Sequence, residues 1–96
     1  MIKHIVFIKL QEENKQQNAL KIKALLEELP SKIEALIDIE VGINFDEVDR
    51  AMDLSLYSSF NSKEDLNTYA IHDEHLKVVA VIKSCAQYTK VVDYII

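Results

Sequence analysis

Three side chains suited to proton chemistry, Tyr69, His72 and His75, follow one another at three-residue steps. On a continuous helix that spacing sets them on one connected face, about a turn apart. A phenol and an imidazole converging on a cavity are equipped for general acid–base work near neutral pH, because histidine titrates in that range. The competing reading is structural, with Tyr69 packed in a core, its hydroxyl tied off, and His75 bracing a helix break. A third histidine, His4, lies in an alternating apolar run with Ile2, Val6, Ile8 and Leu10. An imidazole on that face needs a partner for its N–H, either within a satisfied core or at the wall of a pocket.

Other chemistries find less support. His72 and His75 with Asp73 and Glu74 offer metal-ligating groups, and His4 extends the set. A structural zinc site wants four converging ligands, however, and adjacent acidic residues on a helix diverge, so no metal is expected. Cys85 has no positioned base and only Lys83 nearby. It reads as a small, partly buried hydrophobe, not as an activated nucleophile. Gly42 is the only glycine, which leaves no material for a phosphate-cradling loop. No cofactor is expected.

The elements that must carry these residues are legible in the periodicity. Residues 1–10 alternate as a first strand, with Ile2, His4, Val6, Ile8 and Leu10 on one face and Lys3, Ile5, Phe7 and Lys9 on the other. From about Glu13 to Leu29 the spacing becomes helical, with Ala19, Ile22, Leu25, Leu26 and Leu29 as the apolar stripe and Pro30 and Ser31 as the stop. Ile37, Ile39, Val41, Ile43 and Phe45 alternate with polar residues as a second strand buried on one side. Met52, Leu54 and Leu56 form a third, running to about Ser59, with Asp53, Ser55 and Tyr57 on its opposite face. Ser62 and Asp65 have capping-box spacing before a second helix whose inner face is Leu66, Tyr69 and Ala70. Asp73 is the expected cap of a further helical piece carrying Leu76, Val79 and Ile82, and a last strand runs from about Gln87 to Ile96.

The order β-α-β-β-α-β predicts an α+β, ferredoxin-like sandwich, with a four-stranded antiparallel sheet and helices on one face. The other face then carries Ile5, Phe7 and Tyr57 among Lys3, Lys9, Asp53 and Ser55. That surface suits neither a core nor plain solvent, and a two-fold homodimer packed through it is the expected solution. With 96 residues, residues 1–96 make a single domain, too small for separate cofactor and substrate domains. A net charge of −5 and no Trp speak against a nucleic-acid partner. The apolar stretch at residues 1–10 is shorter than a membrane span and carries three basic or titratable groups, so no membrane is expected. One unpaired cysteine suits a reducing, cytoplasmic setting.

Three stretches give the chain a family resemblance. They are Ile2-Lys3-His4-Ile5-Val6-Phe7-Ile8-Lys9-Leu10, Ile39-Glu40-Val41-Gly42-Ile43-Asn44, and Tyr69-Ala70-Ile71-His72-Asp73-Glu74-His75 followed by Val91-Val92-Asp93-Tyr94. Together they resemble, in the same order, the first strand, second strand, helix motif and closing strand of the stress-responsive α/β-barrel (Dabb) domain proteins. Asp73 departs from the pattern, since members very often carry Pro there. The resemblance implies a ferredoxin-like protomer whose sheet packs across a dimer to form a barrel. It leaves function open between a small apolar or aromatic ligand in a cavity between sheet and helices, a cofactor-independent polyketide-cyclase-like enzyme, and a purely structural stress-related dimer. In the cyclase members a His–Tyr pair does the chemistry. Tyr69 and His75 match that pair, with His75 as base and Tyr69 as hydrogen-bond donor, while His4 and His72 fall among the ligand-facing residues.

Overall fold

A computed structural model describes residues 1–96. Its elements are β1 (Ile2–Leu10), α1 (Lys15–Glu27), a 3-10 turn (Leu29–Ser31), β2 (Asp38–Ile43), β3 (Leu54–Phe60), α2 (Lys63–Ala70), α3 (Asp73–Cys85) and β4 (Ala86–Ile95). The strands form one antiparallel sheet in the order β2-β3-β1-β4, the ferredoxin-like arrangement expected from the periodicity. The helices lie on one face, and the core beneath them is built from Ile2, Ile8 and Leu10 of β1, Ala19, Ile22 and Leu26 of α1, and Leu54, Leu56 and Phe60 of β3. Alternation in β1 forces this outcome, because a period of two sends its apolar set to the helix side and Lys3, Ile5, Phe7 and Lys9 to the other.

The structure corrects the expected elements in several places, each for a local reason. The first helix starts at Lys15, after Asn14 takes a left-handed conformation (φ 55°) that Asn tolerates. Pro30 falls in the 3-10 turn, so the α-helix ends at Glu27 while Leu29 still reaches the core. In β2 only Val41 is buried. Ile43 is exposed and Phe45, beyond the strand end, is 96 % exposed. Ser62 caps α2 as expected, its hydroxyl accepting from Asp65 N–H at 3.1 Å, but Ala70 is exposed and only Tyr69 is fully buried on that helix. The cap of α3 is His72, not Asp73. Its extended backbone resets the helical phase, so Val78 is buried with Val81, Ile82 and Cys85 packed against the core, and Leu76 is turned out.

Asp53 is the largest correction. Alternation placed it on the open sheet face beside Ser55, yet it precedes β3 and is buried. Its carboxylate accepts from Leu10 N–H at 2.7 Å and lies 3.5 Å from Lys15 Nζ, while its own N–H donates to Ile8 O at 2.9 Å. A buried carboxylate is tolerable only when paired in this way, and here it knots the end of β1 to the start of α1.

The two faces of the sheet end up unlike. On the open face Phe7, Tyr57, Tyr88, Val92 and Tyr94 are exposed, with Lys3 Nζ 5.0 Å from the Tyr57 ring centroid. At one edge Lys23 donates to Val41 O at 2.5 Å and blunts the free side of β2. At the other edge β4 is exposed along almost its whole length.

Candidate functional site

The antiparallel register of β1 with both neighbours creates the site's floor. His4 stands opposite Ser58 on β3 and opposite Asp93 on β4, so the three share one row on the helix side. Asp93 accepts a hydrogen bond from His4 Nδ1. A carboxylate only accepts, so the proton of that bond sits on Nδ1. Ser58 donates to His4 O at 3.1 Å, and as a small residue in a fully buried position it leaves space above it for larger rings.

Aromatic side chains fill that space. Phe60, two residues along β3, lies 6.3 Å from the His4 ring by centroid, and Tyr69 descends from α2 to within 6.4 Å of His4 and 5.1 Å of Phe60. His75 arrives from the first turn of α3 and packs on Tyr69, centroids 4.2 Å apart and planes inclined by 39°. Tyr69 and His75 therefore come together, and His4, which only the family resemblance set beside them, joins from β1. His72 plays a local part instead, with its Nδ1 accepting from Glu74 N–H at 3.1 Å at the start of α3.

Within the cluster, protonation states follow from burial and hydrogen bonding. Burial pushes the Tyr69 phenol far above its ordinary range, so it keeps its proton at physiological pH. Its hydroxyl is buried and makes no hydrogen bond. Burial also holds His75 below the usual imidazole range; the hydrogen bond to Ala70 O acts the other way, and the fields of His4 and His72 add to the lowering. The carbonyl of Ala70, 3.0 Å from His75 Nδ1, can only accept, which leaves Nε2 of the neutral ring with the lone pair. The cluster thus combines a committed donor, Tyr69 O–H, with a neutral imidazole offering an acceptor. That combination can hold a carbonyl or phenol oxygen, or move a proton beside one.

Around this cluster the layer between sheet and helices is packed with rings. Of the ten surface clefts, the five principal ones have no His4, Tyr69 or His75 in their linings. One of about 250 Å³ adjoins the cluster between α2 and β4, lined by Ile2, Lys63, Leu66, Asn67, Asp93, Tyr94 and Ile95. Asp93 is the residue common to that cleft and the ring cluster. No three His, Cys, Asp or Glu side chains come together as a metal-binding group. No helix is long and apolar enough to cross a membrane.

Sequence reasoning gave no role to Asp93 and none to Phe60. A signal for Asp93 was present, since one acid in the apolar run Val91-Val92-Asp93-Tyr94 costs folding energy unless it finds a partner. Naming that partner required the β1–β4 register.

Comparison with known proteins agrees with this architecture. The family model described as the Stress Responsive A/B Barrel Domain (Dabb) matches residues 2–96. A stress-response A/B barrel domain-containing protein, DABB1, of Arabidopsis thaliana is 48 % identical over 40 residues, a stretch that is 42 % of this chain and 19 % of that protein. A dimeric protein of ferredoxin-like fold from Bacteroides fragilis is 32 % identical, superposes with a TM-score of 0.91, and is covered over 95 % of its chain by 99 % of this one. A hydroxynitrile lyase from Passiflora edulis shares the fold at 21 % identity, with a TM-score of 0.86 over 99 % of this chain and 92 % of its own.

Proposed function

This chain belongs to the stress-responsive A/B barrel (Dabb) domain family, and on that premise we propose that it works as a homodimer whose protomers each bind a small apolar or aromatic molecule beside His4, Tyr69 and His75. The observation that carries the reading is the Tyr69 hydroxyl, fully buried and without a partner. A native core rarely leaves such a group orphaned, because the lost hydration costs about 1–3 kcal/mol. A ligand oxygen accepting from Tyr69 O–H removes that cost. The ligand enters by the cleft between α2 and β4, whose Leu66 and Ile95 offer apolar contact, and a shift of the Tyr69 and His75 rings makes room for it.

The homodimer is supported by the open sheet face, where Phe7, Tyr57, Tyr88, Val92 and Tyr94 form one exposed apolar and aromatic surface. The Bacteroides fragilis relative, 32 % identical, is itself dimeric. A second copy of the chain covers this surface and closes the two sheets into a barrel. A cytoplasmic setting fits the single free thiol, Cys85.

Binding is tested by titrating small aromatic and β-keto compounds into the protein while following the histidine ring signals by NMR. A binder that moves His75 and His4 in the native protein, and binds at least about tenfold more weakly to Tyr69→Phe, supports the reading, that being the worth of one good hydrogen bond. Binders that ignore Tyr69→Phe sink it.

A second reading has one observation in its favour: the neutral His75, its Nδ1–H engaged by Ala70, packed on a protonated phenol. In a cofactor-independent cyclase-like reaction on a β-keto substrate, His75 Nε2 takes a proton from carbon while Tyr69 stabilises the oxyanion that forms. The fold alone does not choose between these, since it also carries a hydroxynitrile lyase. Turnover of a bound β-keto compound that survives both His75→Ala and Tyr69→Phe rules this mechanism out.

A further inference from the structure

We propose that His72 is a positioning residue, which holds His75 against Tyr69 by capping α3 with its ring nitrogen and lets go when the ring is protonated. The capping stands on the geometry alone, and its importance to a ligand rests on the site proposed above.

The corner between α2 and α3 is held by two histidines used in opposite senses. His72 has an extended backbone (φ −67°, ψ 137°), and its Nδ1 accepts from Glu74 N–H at 3.1 Å. His72 O accepts from Leu76 N–H at 2.9 Å, and its N–H donates to Tyr69 O at 3.1 Å, so one residue joins both helices. Three positions on, His75 Nδ1 donates to Ala70 O, the last residue of α2, at 3.0 Å. The Tyr69–His75 ring contact therefore depends on where the first turn of α3 starts, and His72 sets that start. A Ser, Asp or Asn cap does the same work with an oxygen that does not titrate in this range. An imidazole loses its acceptor as soon as it is protonated, because both nitrogens are then donors, and imidazoles as a class take up a proton between about pH 5 and 8. Protonated, the ring turns an N–H toward the Glu74 N–H, and the first turn of α3 is left uncapped.

The charged and titratable groups around the corner are Asp73 and Glu74 in the same turn, and Lys32 and Lys77, which reach Glu74 at 3.9 and 3.4 Å. His75 follows in that same turn, and His4 with Asp93 lies across the cluster. Replacing His72 by Asn keeps all of them, along with a capping oxygen, and removes only the ring nitrogen that a proton converts from acceptor to donor.

Amide hydrogen exchange by NMR on the free protein tests the proposal, at pH 7.5 and pH 5.5, with each rate corrected for the intrinsic effect of pH. In the native chain the protection of Glu74 and Leu76 falls about fivefold to tenfold at the lower pH, the size expected for loss of one cap. In His72→Asn the protection stays the same at both values. In His72→Ala it is low at both. An equal acid-induced loss in His72→Asn, which would assign the effect to His75 or His4, or no loss in the native chain, overturns the proposal. Because no ligand is present, that failure is separate from any failure of the binding site.

Discussion

Two buried polar side chains, Asp53 and Tyr69, sit beneath the helices at opposite ends of the sheet, and they are treated in opposite ways. Asp53 is satisfied. It accepts from Leu10 N–H, pairs with Lys15 and closes the chain at the exit of β1. Tyr69 is less exposed still, and its hydroxyl has no partner at all. Burial alone therefore does not separate a structural group from one proposed to bind a ligand. What separates them is whether the protein completes the hydrogen bonding itself or leaves it to something else.

Substitutions can break or sharpen that contrast. The largest expected effect is at the satisfied end. Asp53→Ala strands the Leu10 N–H and removes Lys15's buried partner, and it lowers stability by about 3 kcal/mol in urea denaturation. It leaves the histidine signals of the other end in place. A smaller loss than that of an ordinary surface substitution would show that the knot at Asp53 is not structural.

Tyr69→Phe carries the opposite sign. Removing an orphan hydroxyl from a packed ring raises stability by about 1 kcal/mol while lowering ligand affinity. A destabilised Phe variant would mean that the hydroxyl has a partner within the fold, and the contrast with Asp53 would collapse.

The open sheet face is a control for both. Val92→Asp touches neither buried group and leaves urea stability, extrapolated to the isolated protomer, within about 0.5 kcal/mol. It places a charge in the proposed dimer contact and shifts sedimentation from dimer to monomer. A dimer that survives this change is not formed through that face.

The smallest effect is a pH dependence. His75 has its folded-state value below the ordinary 6.5, chiefly through burial, so the unfolded chain binds its proton more readily. The stability His75 brings by staying neutral is complete above about pH 6.5 and is lost as pH falls from there through the lowered folded-state value. His75→Gln flattens this part of the stability profile, measured by thermal unfolding between pH 7.5 and 5. An unchanged slope would place the titration on another group.

Much of the frame was legible in the residues. The alternation of Ile2, His4, Val6, Ile8 and Leu10 put His4 on the helix side, and from the expected stripe Ala19, Ile22 and Leu26 form the buried face of α1, with Leu29 buried in the turn that follows. The three-residue steps of Tyr69, His72 and His75 pointed to the right corner, but spacing on one ideal helix did not describe it. The chain breaks at His72, which sends Tyr69 and His75 into the layer from different helices and gives His72 the cap expected of Asp73. Asp53 was misplaced because alternation was carried back to Met52, two residues ahead of the strand, which starts at Leu54.

The sequence by itself determined which faces are apolar and in what order the elements come, since periods of 2 and 3.6 are properties of a local backbone. Only the tertiary structure decided that Asp93 grips His4 across 89 residues, that Asp53 reaches Leu10 across 43, and that the Tyr69 hydroxyl goes without a partner. Those facts depend on strand register and on how two helices descend on one sheet, and no local pattern along the chain encodes either.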